Sequence, residues 1–371
     1  MEDIKLKVLL LSYSTIEYDG RLRELIKIAK ELGDTHYISM SLNPTPLEDT
    51  HQIYRPRWEK FSYLFFISYC IKMAKLKGPF DIIIADNRKA IFPSMLIKQL
   101  FGINTSVLDA RELYLMKDMK SISGKIGSLL EKLFNNKFDV LMCANEERAQ
   151  FMQEYYHLKA KPIVFENLRN LNYINIEEKN IYREKYKGYF PQDMWKIVTT
   201  DGCSIERGID KLVKTIGNLG MKYKLYIIGN ASKHDKAKIE AIIQSESYKN
   251  IELVGILPEG ELKYFVGNCD IGIVNYHMND INNIYCASGK IYEFIFEEIP
   301  VITTENPPLF KICKKYGIGI ANNDFASSIG TITNNYKFFK TSVCKAKNLI
   351  FDVQYSRKIR TQIVAAIRGM K

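Results

Sequence analysis

With 371 residues, 46% of them hydrophobic and 26% charged, the chain is long enough for two separate cores and too apolar to be disordered. Its longest apolar run, residues 61–71, is broken by Ser62 and Ser68 and falls short of the roughly 20 residues that cross a bilayer. The net charge of +11 is clustered, with fifteen Lys/Arg against seven Asp/Glu in residues 51–137 and nine against one in 337–371, a pattern that points to an anionic partner surface.

In chain order, residues 4–12 read as a near-continuous apolar strand and 20–32 as an amphipathic helix ending at Gly33. Strands at 35–40, 81–85, 105–109, 138–144 and 162–165 then alternate with helices at 58–77, 90–101, 122–134 and 146–157. Strands this uniformly apolar have no wet face, so the alternation predicts a parallel sheet covered by helices on both sides. No G-x-G-x-x-G follows the first strand, which argues against a dinucleotide there.

Residues 167–193 are polar and read as a connection between domains. Alternation restarts with strands at 195–200, 224–228, 251–254, 270–275 and 299–303, and helices at 208–219, 235–246 and 259–266. Helical patterns fill the remainder after Gly319. The expectation is an α/β chain of two Rossmann-like, doubly wound domains facing a central cleft, 1–170 and 171–352, with the C-terminal helix at about 353–371 packing back on the first.

Seven scattered cysteines without a C-x-x-C pair, and histidines without H-x-x-x-H spacing, predict reduced thiols and no structural metal. The N-terminus passes straight into a strand with no signal-peptide pattern, which predicts a cytoplasmic protein.

Chemistry concentrates in the second half. Ser288-Gly289 opens a helix with Lys290 and Glu293 in its first turn. A helix N-terminus attracts anions through its unpaired N–H groups, Lys290 adds a full charge, and Glu293 lies one turn on, placed to accept two ribose hydroxyls. Asp201-Gly202-Cys203-Ser204-Ile205-Glu206-Arg207-Gly208 sits between a strand and a helix. There Gly202 permits a tight turn and Arg207 can fork onto phosphate oxygens. The plainer alternative makes Glu293 a dipole-complementing residue and Lys290 and Arg207 surface cations.

In order and spacing these motifs resemble the donor domain of GT-B-fold glycosyltransferases, particularly family 4. The resemblance rests on Gly202 with Arg207-Gly208, Leu225 through Gly229, Val254-Gly255, Cys269-Asp270, Ser288-Gly289-Lys290 with Glu293, and Ile299-Pro300. In the first half Tyr18-Asp19-Gly20-Arg21, Asp109-Ala110-Arg111-Glu112, Phe138-Asp139, Ala144-Asn145-Glu146 and Glu166-Asn167 look like acceptor-domain landmarks of the same enzymes. The resemblance implies the retaining chemistry of the family: transfer of a sugar from a nucleoside-diphosphate-sugar donor to a hydroxyl of a glycan or polyprenyl-linked acceptor, in cell-surface polysaccharide or glycoconjugate synthesis. It assigns the diphosphate to Arg207 and Lys290, the ribose to Glu293 and the base to the backbone from Gly255 to Leu257, with Gly202, Gly229, Ser288 and Gly289 completing the donor site. Asp109, Arg111 and Glu112 become the reaction-side candidates, although Arg111 and Glu112 equally suit a structural ion pair. His277 and Asn275 are weaker candidates.

Two positions depart from the family pattern. Tyr285 stands where the family has a second acidic residue, and Cys203 where a basic residue is common. A non-catalytic partner subunit and a sugar-nucleotide epimerase on the same fold therefore stand as alternatives. No D-x-D triplet occurs, so a metal-bridged diphosphate is not expected. Nucleic acid is not expected as a partner either, since no recognition motif accompanies the charge.

Residues 116–133 set Met116, Met119, Ile122, Ile126, Leu129, Leu130 and Leu133 at helical spacing, with Lys117, Lys120, Lys125 and Lys132 between them. Such a stripe is more often a core face with a solvated back. It also suits a helix lying in an anionic membrane surface, which would place the protein on the inner face of the cell membrane.

Overall fold

A computed structural model describes residues 6–14, 19–41, 50–54, 61–167, 173–351 and 353–369. Tyr18 and residues 58–60, which the sequence reading included in a motif and a helix, lie outside them. The chain divides into two compact units, one of residues 1–170 with 356–371 and one of residues 171–355.

The first unit runs β1 (Leu6–Ser12), α1 (Gly20–Leu32), β2 (Gly33–Ser41), β3 (Thr50–Tyr54), α2 (Ser62–Lys77), β4 (Ile82–Asp86), α3 (Arg88–Phe101), β5 (Thr105–Ala110), α4 (Ile122–Phe134), β6 (Val140–Cys143), α5 (Glu146–Tyr155) and β7 (Ile163–Val164). Its seven strands pair in parallel in the order β3-β2-β1-β4-β5-β6-β7. Every residue of β4 and β5 is buried, as expected where helices cover both faces of a parallel sheet.

The second unit runs α6 (Ile176–Lys185), β8 (Trp195–Thr199), α7 (Ile209–Asn218), β9 (Tyr223–Ile228), α8 (Lys233–Ser245), β10 (Ile251–Gly255), α9 (Glu259–Gly267), β11 (Ile271–Val274), α10 (Ile281–Ile284), α11 (Gly289–Phe296), β12 (Val301–Thr303), α12 (Pro307–Tyr316), β13 (Gly319–Ala321), α13 (Phe325–Asn334) and α14 (Tyr336–Ile350). Its sheet is also parallel, in the order β10-β9-β8-β11-β12-β13. The last helix, α15 (Val353–Arg368), returns to the first unit. There Ile363, Val364 and Ile367 join the core formed with Leu22, Leu25 and Ile28 of α1, and Arg360 pairs with Glu31 at 2.8 Å.

In each sheet the strand order reverses once, between β1 and β4 in the first and between β8 and β11 in the second. A doubly wound sheet opens a crevice beyond the carboxyl ends of its strands at that point.

Several elements differ from the sequence expectation, among them helices α10 and α12, which it did not include. The polar connection contains α6, whose signals were all present: Asn175 caps it by accepting from Glu178 N–H, with Glu177 and Glu178 in its first turn and Arg183 and Lys185 in its last. Residues 319–321, assigned to a helical remainder, form the edge strand β13, too short for an alternating pattern to register. Strand β3 at the opposite edge of the first sheet was also missed.

Helix α4 is built inside out. Ile122, Ile126, Leu129 and Leu133 are 79%, 53%, 43% and 51% exposed, while the residues it buries are Ser128 and Glu131. The expected core stripe therefore faces solvent. Arg88, the first residue of α3, lies across Gly127 and donates to both carboxylate oxygens of Glu131 from Nε and Nη2, at 2.9 and 2.6 Å. Ser128 Oγ donates to the Tyr114 carbonyl at 2.7 Å. Polar pairing at the centre, with the edge-to-face contact of Phe92 and Phe134 at one end, holds this helix to its neighbour.

Candidate functional site

The residues assigned to the donor group at the carboxyl edge of the second sheet. Gly202 follows β8 at φ 62°, and a Cβ there would lie 1.8 Å from the Asn230 carbonyl oxygen. Only glycine fits such an approach. Its N–H donates to the Ile228 carbonyl at 2.9 Å, and the Gly229 N–H donates to the Gly255 carbonyl at 2.8 Å. Gly229 and Gly255 also have positive φ, 124° and 87°. The turns that end β8, β9 and β10 are thus laced edge to edge by backbone hydrogen bonds. Leu257, two residues past Gly255, is half-buried.

Arg207 enters this edge from the loop before α7. Its guanidinium carbon stands 3.9 Å from the centre of the Tyr276 ring, and Nη1 donates to the Asn275 carbonyl at 3.3 Å. Both partners follow β11, so Arg207 spans the point where the strand order reverses. Lys290, the second residue of α11, reaches the same place from the other side and binds the Asp201 carboxylate. Arg207 Nη1 is 3.9 Å from that same carboxylate oxygen. The two cations that the sequence assigned to a diphosphate are therefore brought together, on an aspartate given no role.

Ser288 occupies the N-cap of α11 without capping it. It is 4% exposed, and its hydroxyl finds no hydrogen-bond partner. Gly289 opens the helix, and Glu293 follows Lys290 by three residues on the same helix, half-buried. A helix tip with an unused hydroxyl, free end amides and an adjacent lysine can receive an anion.

Cys203, the position where a basic residue was expected from the family pattern, is 5% exposed and packs in the core with Ile197, Ile209 and Leu225. A charge there would be buried, so the backbone of this loop excludes it. His277, with its ring 3.6 Å from both Glu206 and Asp280, and Asn275, whose carbonyl holds Arg207, shape the rim. Asn306, missed in the sequence, is fully buried and ties the rim together by donating to the carbonyls of Asn283 at 2.7 Å and His277 at 3.4 Å.

The first-unit candidates gather at the switch between β1 and β4. Arg21 grips Asp109 from Nε and Nη2, at 2.8 and 2.6 Å, and donates to the Phe165 carbonyl at 2.5 Å. Asp109 is wholly enclosed, so it positions Arg21 and offers no surface to a ligand. Arg111 Nε lies 2.5 Å from Asp86, and Nη1 pairs with Asp19, which also caps α1. The alternative Arg111–Glu112 ion pair does not form, because Asp19 and Asp86 lie closer to the guanidinium. Glu112 is half-buried nearby. Burial works against the charge of Arg111, but Asp86, Asp109 and Asp19 outweigh it and hold the side chain cationic. Burial also pushes the Asp86 carboxyl up to about 6, with Arg111 opposing and Asp109 adding to the shift. Ser12 Oγ donates to the second Asp86 oxygen at 2.5 Å.

Among the described residues no helix is long and apolar enough to cross a membrane, and no group of three or more His, Cys, Asp or Glu side chains is placed to hold a metal ion. All seven cysteines are free thiols.

Two Rossmann-like units of this topology in one chain constitute the GT-B fold. Solved structures of that fold align over nearly the whole chain. HepE of Anabaena, determined with UDP and glucose, matches with a TM-score of 0.73 at 14% identity, over 98% of this chain and 100% of its own. Sucrose-phosphate synthase of Thermosynechococcus elongatus matches with 0.75 at 15%, over 99% of each chain. A glycosyltransferase of Rickettsia africae matches with 0.72 at 17%, over 98% and 99%. No family model and no curated protein sequence matches the chain.

Proposed function

We propose that this protein is a glycosyltransferase that moves a sugar from a nucleoside-diphosphate donor to a hydroxyl of a glycan or lipid-linked acceptor. The observation that carries the reading is the convergence of Arg207 and Lys290 beside the tip of α11, at the strand switch of the second sheet. The UDP bound to HepE, a protein of the same fold, supports it.

In this reading Arg207, Lys290 and the amides of Ser288 and Gly289 hold the diphosphate. Glu293 accepts the ribose hydroxyls, and the backbone from Gly255 to Leu257 meets the base. Gly202 and Gly229 let the donor lie against bare backbone. Departure of the diphosphate builds negative charge on its oxygens and oxocarbenium character on the sugar. Cations and amides already aimed at that charge lower the barrier, each by about 3 kcal/mol. Arg111 and Glu112 are the candidates for the acceptor side, with Asp19 and Asp86 holding Arg111 in place and Asp109 holding Arg21. The reaction is proposed as retaining and independent of a divalent metal, the first from the family resemblance and the second from the lack of a D-x-D motif.

The exposed stripe of α4, flanked by Lys125 and Lys132, supports an acceptor held at an anionic membrane surface. Apolar side chains enter the interface while lysines meet the lipid headgroups. We place the protein in the cytoplasm at the inner membrane face, serving surface glycan synthesis.

A thermal-shift screen with UDP, GDP, ADP, dTDP and their sugars tests the donor site. A ligand at a hundred times its dissociation constant stabilises by about 2.7 kcal/mol. Product analysis with the stabilising sugar nucleotide then tests the reaction. Nucleotide binding without sugar transfer would leave a non-catalytic partner, and an epimerised sugar formed without acceptor would mark an epimerase.

A further inference from the structure

Asp201 has a place in the proposed donor site that phosphate binding alone does not call for. Its side chain is 1% exposed, whereas those of Lys290 and Arg207 are 26% and 29% exposed. The carboxylate therefore lies beneath the two cations, and their outer sides remain open. Thr199 Oγ1 approaches its second oxygen at 3.2 Å. The backbone just after it is fixed by the Gly202 N–H on Ile228 and by the close approach of Gly202 to Asn230, so the main chain that carries Asp201 is held at this edge. Arg207 keeps its place by other means, through Tyr276 and the Asn275 carbonyl. Lys290 has Asp201 as its one ion-pair partner among the described residues.

From this arrangement, and resting on the reading of the site as a diphosphate site, we infer that Asp201 is a resident counter-anion that weakens the grip on the leaving diphosphate and so speeds its release. It neutralises one of two adjacent cations in a half-buried setting, where charges interact several-fold more strongly than in water. A site with both cations uncompensated would bind the donor and the product diphosphate more tightly alike. Such uniform tightening adds nothing to the chemical step and delays product departure. Asp201 thus sets an affinity. It acts through its charge on the two cations and does not itself meet the reacting atoms.

The test is Asp201→Asn, which keeps the shape and the contact with Thr199 while removing the charge. Binding is measured for whichever of UDP, GDP, ADP and dTDP the wild type binds best, together with its monophosphate and nucleoside. The expected result is three- to tenfold tighter binding of the diphosphate, a smaller effect on the monophosphate and none on the nucleoside. The diphosphate dissociation rate should fall in proportion. In a Lys290→Met background the same substitution should change binding less than twofold. Asp201→Ser serves as a second variant if the asparagine protein is unstable, with the same order of effects. Equal or weaker diphosphate binding by the variants would mean that Asp201 only props up Lys290, and would overturn the inference while leaving the donor site intact. A wild type that binds none of the four nucleotides would remove the donor-site reading itself, and this inference with it.

Discussion

Arg88 of α3 holds Glu131 of α4 through two parallel hydrogen bonds, and that pair faces inward where the isoleucines and leucines of α4 face outward. The attachment of the helix depends on it. Glu131→Ala strands the Arg88 guanidinium, 17% exposed, against Gly127 and Tyr114. Removing one member of a buried pair costs about 3–5 kcal/mol, whereas replacing both with apolar residues of similar volume is often neutral. Urea unfolding should show that loss for Glu131→Ala, with most of it recovered in Arg88→Met/Glu131→Leu. Equal losses in the two proteins would contradict the assignment.

The outward stripe makes the opposite prediction. Ile126→Glu and Leu129→Glu should each alter stability by less than about 0.5 kcal/mol, as surface substitutions do, where a core position would lose 2–5 kcal/mol. Flotation with anionic liposomes at low salt should be strong for the parent chain and weak for the double variant. No flotation of the parent would remove the membrane surface from the proposal.

Removing either donor-site cation should weaken nucleoside-diphosphate binding. Charge-assisted hydrogen bonds contribute about 1.5–3 kcal/mol each, so Arg207→Ala and Lys290→Ala should each raise the dissociation constant by roughly ten- to a hundredfold by calorimetry. If both variants bind as the parent does, the site lies elsewhere.

Gly202→Ala is a more drastic change. The added methyl would meet the Asn230 carbonyl at 1.8 Å on a backbone held at φ 62°. The edge of the sheet must then separate, at a cost of at least about 2 kcal/mol. Nucleotide binding should be lost together with thermal stability. Gly220→Ala, where φ is 79° but no atom lies within 4 Å of the new methyl, should show only the smaller backbone strain.

Asp86 gives a pH dependence of defined sign. Its folded pKa of about 6 exceeds the ordinary 3.8, so the folded chain holds the proton over a range where the unfolded chain has released it. Its contribution is therefore most favourable below about pH 4 and is lost as pH rises through about 6, by an amount near 3 kcal/mol. Other groups titrate over the same range, so the quantity to measure is the stability difference between the parent and Asp86→Asn. That difference should move in favour of the variant between pH 4.5 and 7.5. A difference that stays constant across the range would contradict the shift.

The contrast between what the sequence disclosed and what it hid follows from which signals are local. Strands such as Ile82–Asp86 are apolar throughout because both sheet faces are covered, and that pattern is readable without knowing the neighbours. Arg207 and Lys290 are readable because each stands at a helix entry beside a glycine, a position with a local signature. Asp201 carries no local signature, since its meaning depends on a lysine eighty-nine positions away. Helix α4 misled for the same reason. Its period is right, but which face turns inward is decided by Arg88 on another helix. The small and polar series Gly124, Gly127, Ser128 and Glu131 was the available clue, because a close approach needs small residues.

The return of α15 means that the second unit interrupts the first, and the polypeptide passes from one to the other twice. Residues 171–355 can be lifted out as one uninterrupted segment, but the first unit cannot. Any attempt to express the first unit alone must splice residues 356–371 onto residue 170. Without that splice, Leu22, Leu25 and Ile28 would lose the cover now supplied by Ile363, Val364 and Ile367.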